Sequence, residues 1–163
     1  MNTIFLFVFL FVAQTLFAQG KFAGSFASLI NKNYMNEKEL TLLKGFTLRE
    51  GTLLSNYDDP VKLSASWYIK GNTIVALFEQ INVDNSHVVL DVLEVKNVLS
   101  NQILSIGVCQ DGDDMNAGFV ALVNQTKEER YKAVKGWFFN RDKIRLEARA
   151  ATNITCIGMV GDD

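Results

Sequence analysis

Val61-Lys62-Leu63-Ser64-Ala65-Ser66-Trp67-Tyr68-Ile69-Lys70, followed by Gly71-Asn72 and then Thr73-Ile74-Val75-Ala76-Leu77-Phe78-Glu79, carries the clearest structural signal in this chain. Val61, Leu63, Ala65, Trp67 and Ile69 alternate with Lys62, Ser64, Ser66, Tyr68 and Lys70. A period of two places the first set on one face of a strand and the second on the other, so one face is buried and one is wet. Gly71-Asn72 is a hairpin signal, because its residues tolerate the positive φ of a tight turn. Thr73 to Glu79 is apolar on both faces, which suits a strand in the middle of a sheet.

Moving toward the C-terminus, the β pattern persists. Val83-Asp84-Asn85-Ser86 reads as a turn, and His87 to Val95 as the next strand. Ile103 to Cys109 and Gly118 to Val123 follow, separated by the polar stretch Gln110 to Asn116. Thr126 and Glu129 mimic a capping box, which predicts a short helical turn before a strand over Tyr131 to Phe139. After the turn Asn140-Arg141-Asp142, Ile144, Leu146 and Ala148 alternate with Lys143, Arg145, Glu147 and Arg149, a strand with a basic outer face. Ile154 to Met159 completes a set of about seven or eight strands in mostly consecutive, antiparallel order.

The preceding segment reads as helical. Phe22, Phe26, Ile30 and Tyr34 recur every four residues. Asn36 with Glu39 forms a capping box pattern before Leu40, Leu43 and Phe46, and Gly45 marks an end. The expected class is therefore α+β, mainly β: an N-terminal helical segment packed on an antiparallel sheet, either an open barrel or a sandwich.

Ile4 to Ala13 is almost unbroken Phe, Leu, Val and Ile, and Leu16-Phe17-Ala18 precedes Gln19. A short apolar run before a small residue is the pattern of a cleaved export signal. We expect cleavage after Ala18, leaving residues 19–163 as a single exported domain. A membrane span needs about 20 apolar residues, so no stable anchor is expected after cleavage. The chain has 16 Lys and Arg against 18 Asp and Glu, a net charge of −2. That balance argues against nucleic acid as a partner, since phosphate binding needs a concentrated basic face.

Cys109 and Cys156 are the two cysteines, and in an exported protein they are expected to form a disulfide. Such a bridge would bring Asp111-Gly112-Asp113-Asp114 near Gly161-Asp162-Asp163. Calcium takes six to eight oxygens, and Asp111, Asp113, Asp114 and Asn116 are the candidate ligands, although the spacing is not that of an EF-hand. No other cofactor is expected.

Catalytic signals are sparse. His87 is the only histidine, and no Gly-x-Ser-x-Gly elbow accompanies it. It reads as a plain surface position at a strand edge. Glycoside hydrolysis needs two carboxylates a few ångströms apart. Glu79, Asp91, Glu94 and Glu147 fall on expected strands, and Asp91 and Glu79 have the most apolar surroundings, where burial raises a carboxyl pKa. Trp137 and Phe139 point one way from their strand and Phe138 the other, so Trp137 and Phe139 are candidates for a ligand or partner face as well as for core. Asn124-Gln125-Thr126 and Asn153-Ile154-Thr155 fit the N-glycosylation pattern.

The Leu16-Phe17-Ala18-Gln19 junction resembles the signal ends of exported proteins from Bacteroidota. Ala133-Val134-Lys135-Gly136-Trp137, Lys143-Ile144 and Ile154-Thr155-Cys156 together are similar to the C-terminal ends of small secreted or periplasmic proteins of that group. The resemblance implies location and a small β-rich domain, and it brings no activity or catalytic residues. The expectation is an exported non-catalytic binding module for a protein or small ligand. The alternatives are an apolar-ligand carrier with a barrel cavity and a small carboxylate hydrolase.

Overall fold

Hydrogen-bond register bears out the hairpin around which the sequence was read. Lys70 pairs with Thr73 across Gly71-Asn72, and the pairing runs without interruption to Lys62 opposite Ile81. The structure, a computed structural model, describes residues 20–158 of the 163-residue chain. The expected export signal and its expected cut after Ala18, the acidic end Gly161-Asp162-Asp163, and Met159 lie outside the described residues.

The described strands are β1 (Asn33–Tyr34), β2 (Thr47–Leu53), β3 (Lys62–Lys70), β4 (Thr73–Ile81), β5 (His87–Val95), β6 (Gln102–Ile106), β7 (Cys109–Asp111), β8 (Asp114–Met115), β9 (Phe119–Asn124), β10 (Arg130–Asn140), β11 (Arg145–Arg149) and β12 (Ile154–Ile157). They form a five-stranded sheet, β1-β5-β4-β3-β2, and a seven-stranded sheet, β6-β9-β10-β12-β7-β8 with β11 beside β10. Every pairing is antiparallel. Both sheets are open, and no closed barrel is formed among the described residues.

The inner face of the first sheet presents Ala65, Trp67, Ile74, Ala76, Phe78 and Leu93 to the second sheet. Leu104, Val120, Leu122, Trp137, Phe139 and Leu146 meet them in one apolar cluster. The rings of Phe78 and Phe139 stack with centroids 5.1 Å apart across this layer. β4 sits in the middle of its sheet, as its two apolar faces demand.

The expected N-terminal helix is not formed. Gly24–Leu29, Glu37–Glu39 and Thr41–Leu43 are short 3₁₀ turns, and no α-helix occurs among the described residues. Gly24 and Asn31 take φ of 52° and 65°, a left-handed backbone that a right-handed helix cannot contain. The capping box does form, with Asn36 Oδ1 accepting from Lys38 N and Glu39 Oε1 accepting from Asn36 N, but it starts a single 3₁₀ turn. The apolar residues still converge, now without a helix. Phe26, Leu29, Leu40 and Leu43 cluster with Val75, Leu77, Val89 and Val92, the outer-face residues of β4 and β5. The outer face expected to be wet is therefore partly covered, and Tyr68 is buried.

The helical turn expected near Thr126 is also absent. Thr126 Oγ1 accepts from Glu128 N at 3.2 Å and makes a local turn instead. β10 then runs for eleven residues with a register shift between Ala133 and Lys135. Its first part pairs with β12 and its later part with β9 and β11. Cys109 and Cys156 face one another on β7 and β12 and are joined by the expected disulfide, with Cα atoms 4.0 Å apart. They pack with Phe119, Ala121, Val123 and Tyr131 in a smaller cluster.

Candidate functional site

The outer face of the first sheet carries a polar cluster at its uncovered end. Period two places Ser64, Ser66 and Tyr68 of β3 on that face, and Glu79 pairs directly with Ser64. His87 reaches the same face because β5 carries a bulge. Phe78 pairs with Asp91, but Glu79 pairs with Val89, so Leu90 is an extra residue. A bulge of this kind reverses which residues point outward beyond it. Asp91 and Leu93 stay on the Phe78 side, while Val89 and His87 join Glu79 outside. Tyr34, on the two-residue strand β1, pairs with His87 and stacks on it with centroids 5.3 Å apart.

Glu79 is the centre of the cluster and only 2 % exposed. The Tyr34 hydroxyl donates to Glu79 Oε1. Ser66 Oγ donates to Oε2 at 3.2 Å, and His87 Nδ1 lies 3.8 Å from the same oxygen, beyond hydrogen-bond reach. Burial pushes the Glu79 carboxyl above its ordinary value, and the contacts from Tyr34, His87 and Ser66 offset only part of that rise. Burial, followed by the neighbouring Glu79 charge, also drives the Tyr34 hydroxyl far upward. The Tyr68 hydroxyl is raised chiefly by burial as well.

Above this cluster opens a groove of about 410 Å³. Its polar wall is Tyr34, Ser64, Ser66, Tyr68, Glu79 and His87, and its apolar rim includes Met35, Leu48, Leu53 and Ile81. Gly51 of β2 stands opposite Ser66 and has no side chain to cover it. Glu37, Leu48 and Tyr68 continue into a neighbouring depression of about 490 Å³ lined also by Lys38, Leu43, Lys44 and Phe46.

Four buried side-chain polar atoms lack a hydrogen-bond partner among the described residues: Ser64 Oγ, Tyr68 Oη, His87 Nδ1 and Arg141 Nε. The first three belong to residues that line this one groove. Buried polar atoms are ordinarily satisfied, so three exceptions on residues lining one groove set it apart from the rest of the described surface.

The other candidates are dispersed. Asp91 is 1 % exposed and lies on the opposite face from Glu79, so the two carboxylates do not share a cleft. Its Oδ1 accepts from Gly20 N at 2.9 Å and Val92 N at 2.8 Å, and its Oδ2 from Leu146 N at 2.7 Å. It ties the start of the described chain and β11 to β5. Glu94 accepts from Ser25 N and Oγ and pairs with Lys96. Glu147 is ringed by Lys143, Arg145 and Arg149, which uses most of the expected basic strip, and Arg141 pairs with Asp59.

Trp137 and Phe139 are 7 % and 1 % exposed within the layer between the sheets. They are core residues, so they do not form a ligand or partner face. Asp111 and Asp114 pair across the Gly112-Asp113 turn, while Asn116 Oδ1 accepts from Gly118 N at 2.9 Å. Among the described residues no three His, Cys, Asp or Glu side chains gather as a metal site. Asn124 and Asn153 are both exposed.

Reading the sequence named Glu79 and His87 separately and missed Tyr34, Tyr68, Ser64 and Ser66. The signal available was the alternation of β3 itself, which places Ser64, Ser66 and Tyr68 on one face. No family model, curated protein or solved structure matches this chain.

Proposed function

We propose that the protein is an exported, non-catalytic binding module whose ligand seat is the groove over Glu79. The observation that carries this reading is the set of three unpartnered buried polar atoms, Ser64 Oγ, Tyr68 Oη and His87 Nδ1, all on residues that line one groove. Each is costly to keep out of water alone, and a bound molecule that reaches them removes that cost. Export is supported by the apolar leader before Gln19 and by the disulfide, a bond that persists in oxidising compartments. Among the described residues no helix is long and apolar enough to cross a membrane.

Binding is favoured over hydrolysis because Asp91, the expected partner of Glu79, lies on the other face and is occupied by three backbone N–H groups. A carrier with an internal cavity is disfavoured because Trp67, Phe78 and Phe139 fill the space between the sheets. The test is amide chemical-shift mapping with a mixed set of small amines, acids, polyols and aromatics. Shifts centred on Ser64, Tyr68, Glu79 and His87 are expected. Shifts confined to other surfaces, or none from any compound, overturn the reading.

A further inference from the structure

We propose that the groove over Glu79 selects a small organic amine, with the ammonium head placed among Ser64, Tyr68, His87 and Glu79 and the carbon body against the Leu48–Leu53 rim. This assignment rests on the binding reading above and deepens it by naming the ligand class.

The charge lining the groove points one way. Two carboxylates, Glu37 and Glu79, line it, and neither Lys nor Arg does. Lys38 and Lys44 line the neighbouring depression instead. An anionic ligand would meet both carboxylates, so it is repelled. The hydrogen-bonding capacity points the same way. Ser64 Oγ and Tyr68 Oη can each accept, and so can His87 Nδ1 when its other nitrogen holds the proton. A primary ammonium has donors and no acceptor, which suits a groove whose unpartnered polar groups can accept and whose charged lining groups are carboxylates. A hydroxyl brings one donor and leaves the carboxylate without a counter-charge.

The groups facing Glu79 are Tyr34 from β1, Ser66 from β3, His87 from β5 and Glu37 from the preceding turn. None is a lysine or arginine, so the ligand supplies the missing positive charge. The apolar rim of Met35, Leu48, Leu53 and Ile81 has room for a short carbon body. Leu48 and Leu53 are 43 % and 47 % exposed, a cost to water that a bound body relieves. A groove of about 410 Å³ holds a small molecule, and the proposal is therefore a free amine rather than a lysine of a protein partner.

The experiment titrates the intact mature protein with phenethylamine, with 2-phenylethanol as its neutral counterpart, and with Nα-acetyl-lysine amide as a stand-in for a peptide lysine. Affinity is read from amide shifts at Ser64, Tyr68 and His87. The amine is expected to bind at least about tenfold more tightly than the alcohol, and Glu79→Gln is expected to abolish that preference. Gly51→Val is the second variant. A Cβ at Gly51 meets only Ala65 O, at 4.0 Å, so the strand tolerates it while the side chain stands over Ser66. It should block all three compounds in a protein that remains folded.

If the alcohol binds as well as the amine and Glu79→Gln changes neither, the amine assignment is overturned and the binding reading stands. Tighter binding of Nα-acetyl-lysine amide than of phenethylamine overturns the free-amine assignment. If none of the compounds in this panel or in the mixed set shifts the groove amides of the folded protein, the binding reading itself falls.

Discussion

Two buried carboxyls on adjacent strands answer the same substitution in opposite ways. Glu79 is held by hydroxyl donors and lies beside an imidazole nitrogen. A glutamine there keeps an oxygen for Tyr34, and its amide N–H groups can turn to Ser66 Oγ and His87 Nδ1, so nothing is orphaned. Asp91 faces three backbone N–H donors, and an asparagine would direct an N–H₂ group at one of them. Asp91→Asn is therefore expected to lose about 2–3 kcal/mol, read as a lower denaturant midpoint. An unchanged midpoint would remove the anchoring role given to Asp91. For Glu79 the sign follows from its raised pKa. The folded state holds that proton more tightly than the unfolded chain does. Stability is thus full below the ordinary carboxylate range and declines as pH rises toward the raised folded value. Glu79→Gln is expected to melt above the parent at pH 7, with roughly 2–4 °C for each kcal/mol recovered, and the gap should close on acidification. A gap independent of pH would show that the Glu79 charge is not its source. Stability given up at Glu79 is what a site kept for a ligand would display.

At the scale of elements, the hairpin β3–β4 and strand β5 were legible because alternation and turn residues act over a few neighbours. The capping box at Asn36 and Glu39 was legible for the same reason, yet the element it starts was not. A spacing of four places apolar residues together in a helix, but it also suits a chain laid across a sheet by 3₁₀ turns. Positive φ at Gly24 and Asn31 selects the second. β2 had no clear signal, since Thr47–Leu53 is an edge strand whose side chains are mostly exposed. The bulge at Leu90 was equally hidden, because an extra residue exists only relative to the partner strand. The disulfide belongs to this scale too. It joins β7 to β12, and the loop it closes spans a sequence separation of 47. Replacing both cysteines with alanine is expected to cost at most about 4 kcal/mol. Hydrogen exchange should accelerate in β7, β8 and β12 before it does in β3 to β5. Uniform acceleration across both sheets would show that the bridge supports the whole fold rather than this corner. A tight contact offers a separate check. A Cβ on Gly118 would come within 2.8 Å of Phe139 O, so Gly118→Ala is expected to destabilise by about 1–3 kcal/mol, measured by thermal or denaturant melting.

At the scale of the whole molecule, export and oxidation are read together by one mass measurement. If the chain is exported as proposed, the mature protein is expected to begin at Gln19 and to weigh about 2 Da less before reduction than after it. A mass retaining residues 1–18 would overturn the cleavage after Ala18. What the sequence determined by itself is local: the strands that alternate, the turn at Gly71-Asn72, the cysteine pair and the apolar leader. Those signals survive without tertiary context because each depends on residues close together in the chain or on composition alone. The structure alone decided which faces meet. It turned Trp137 and Phe139 into core, separated Asp91 from Glu79, and carried His87 round a bulge to stand beside Tyr34. These outcomes depend on strand order and on a shift of one residue in register. Such a shift moves side chains to the other face, and it is defined only between strands.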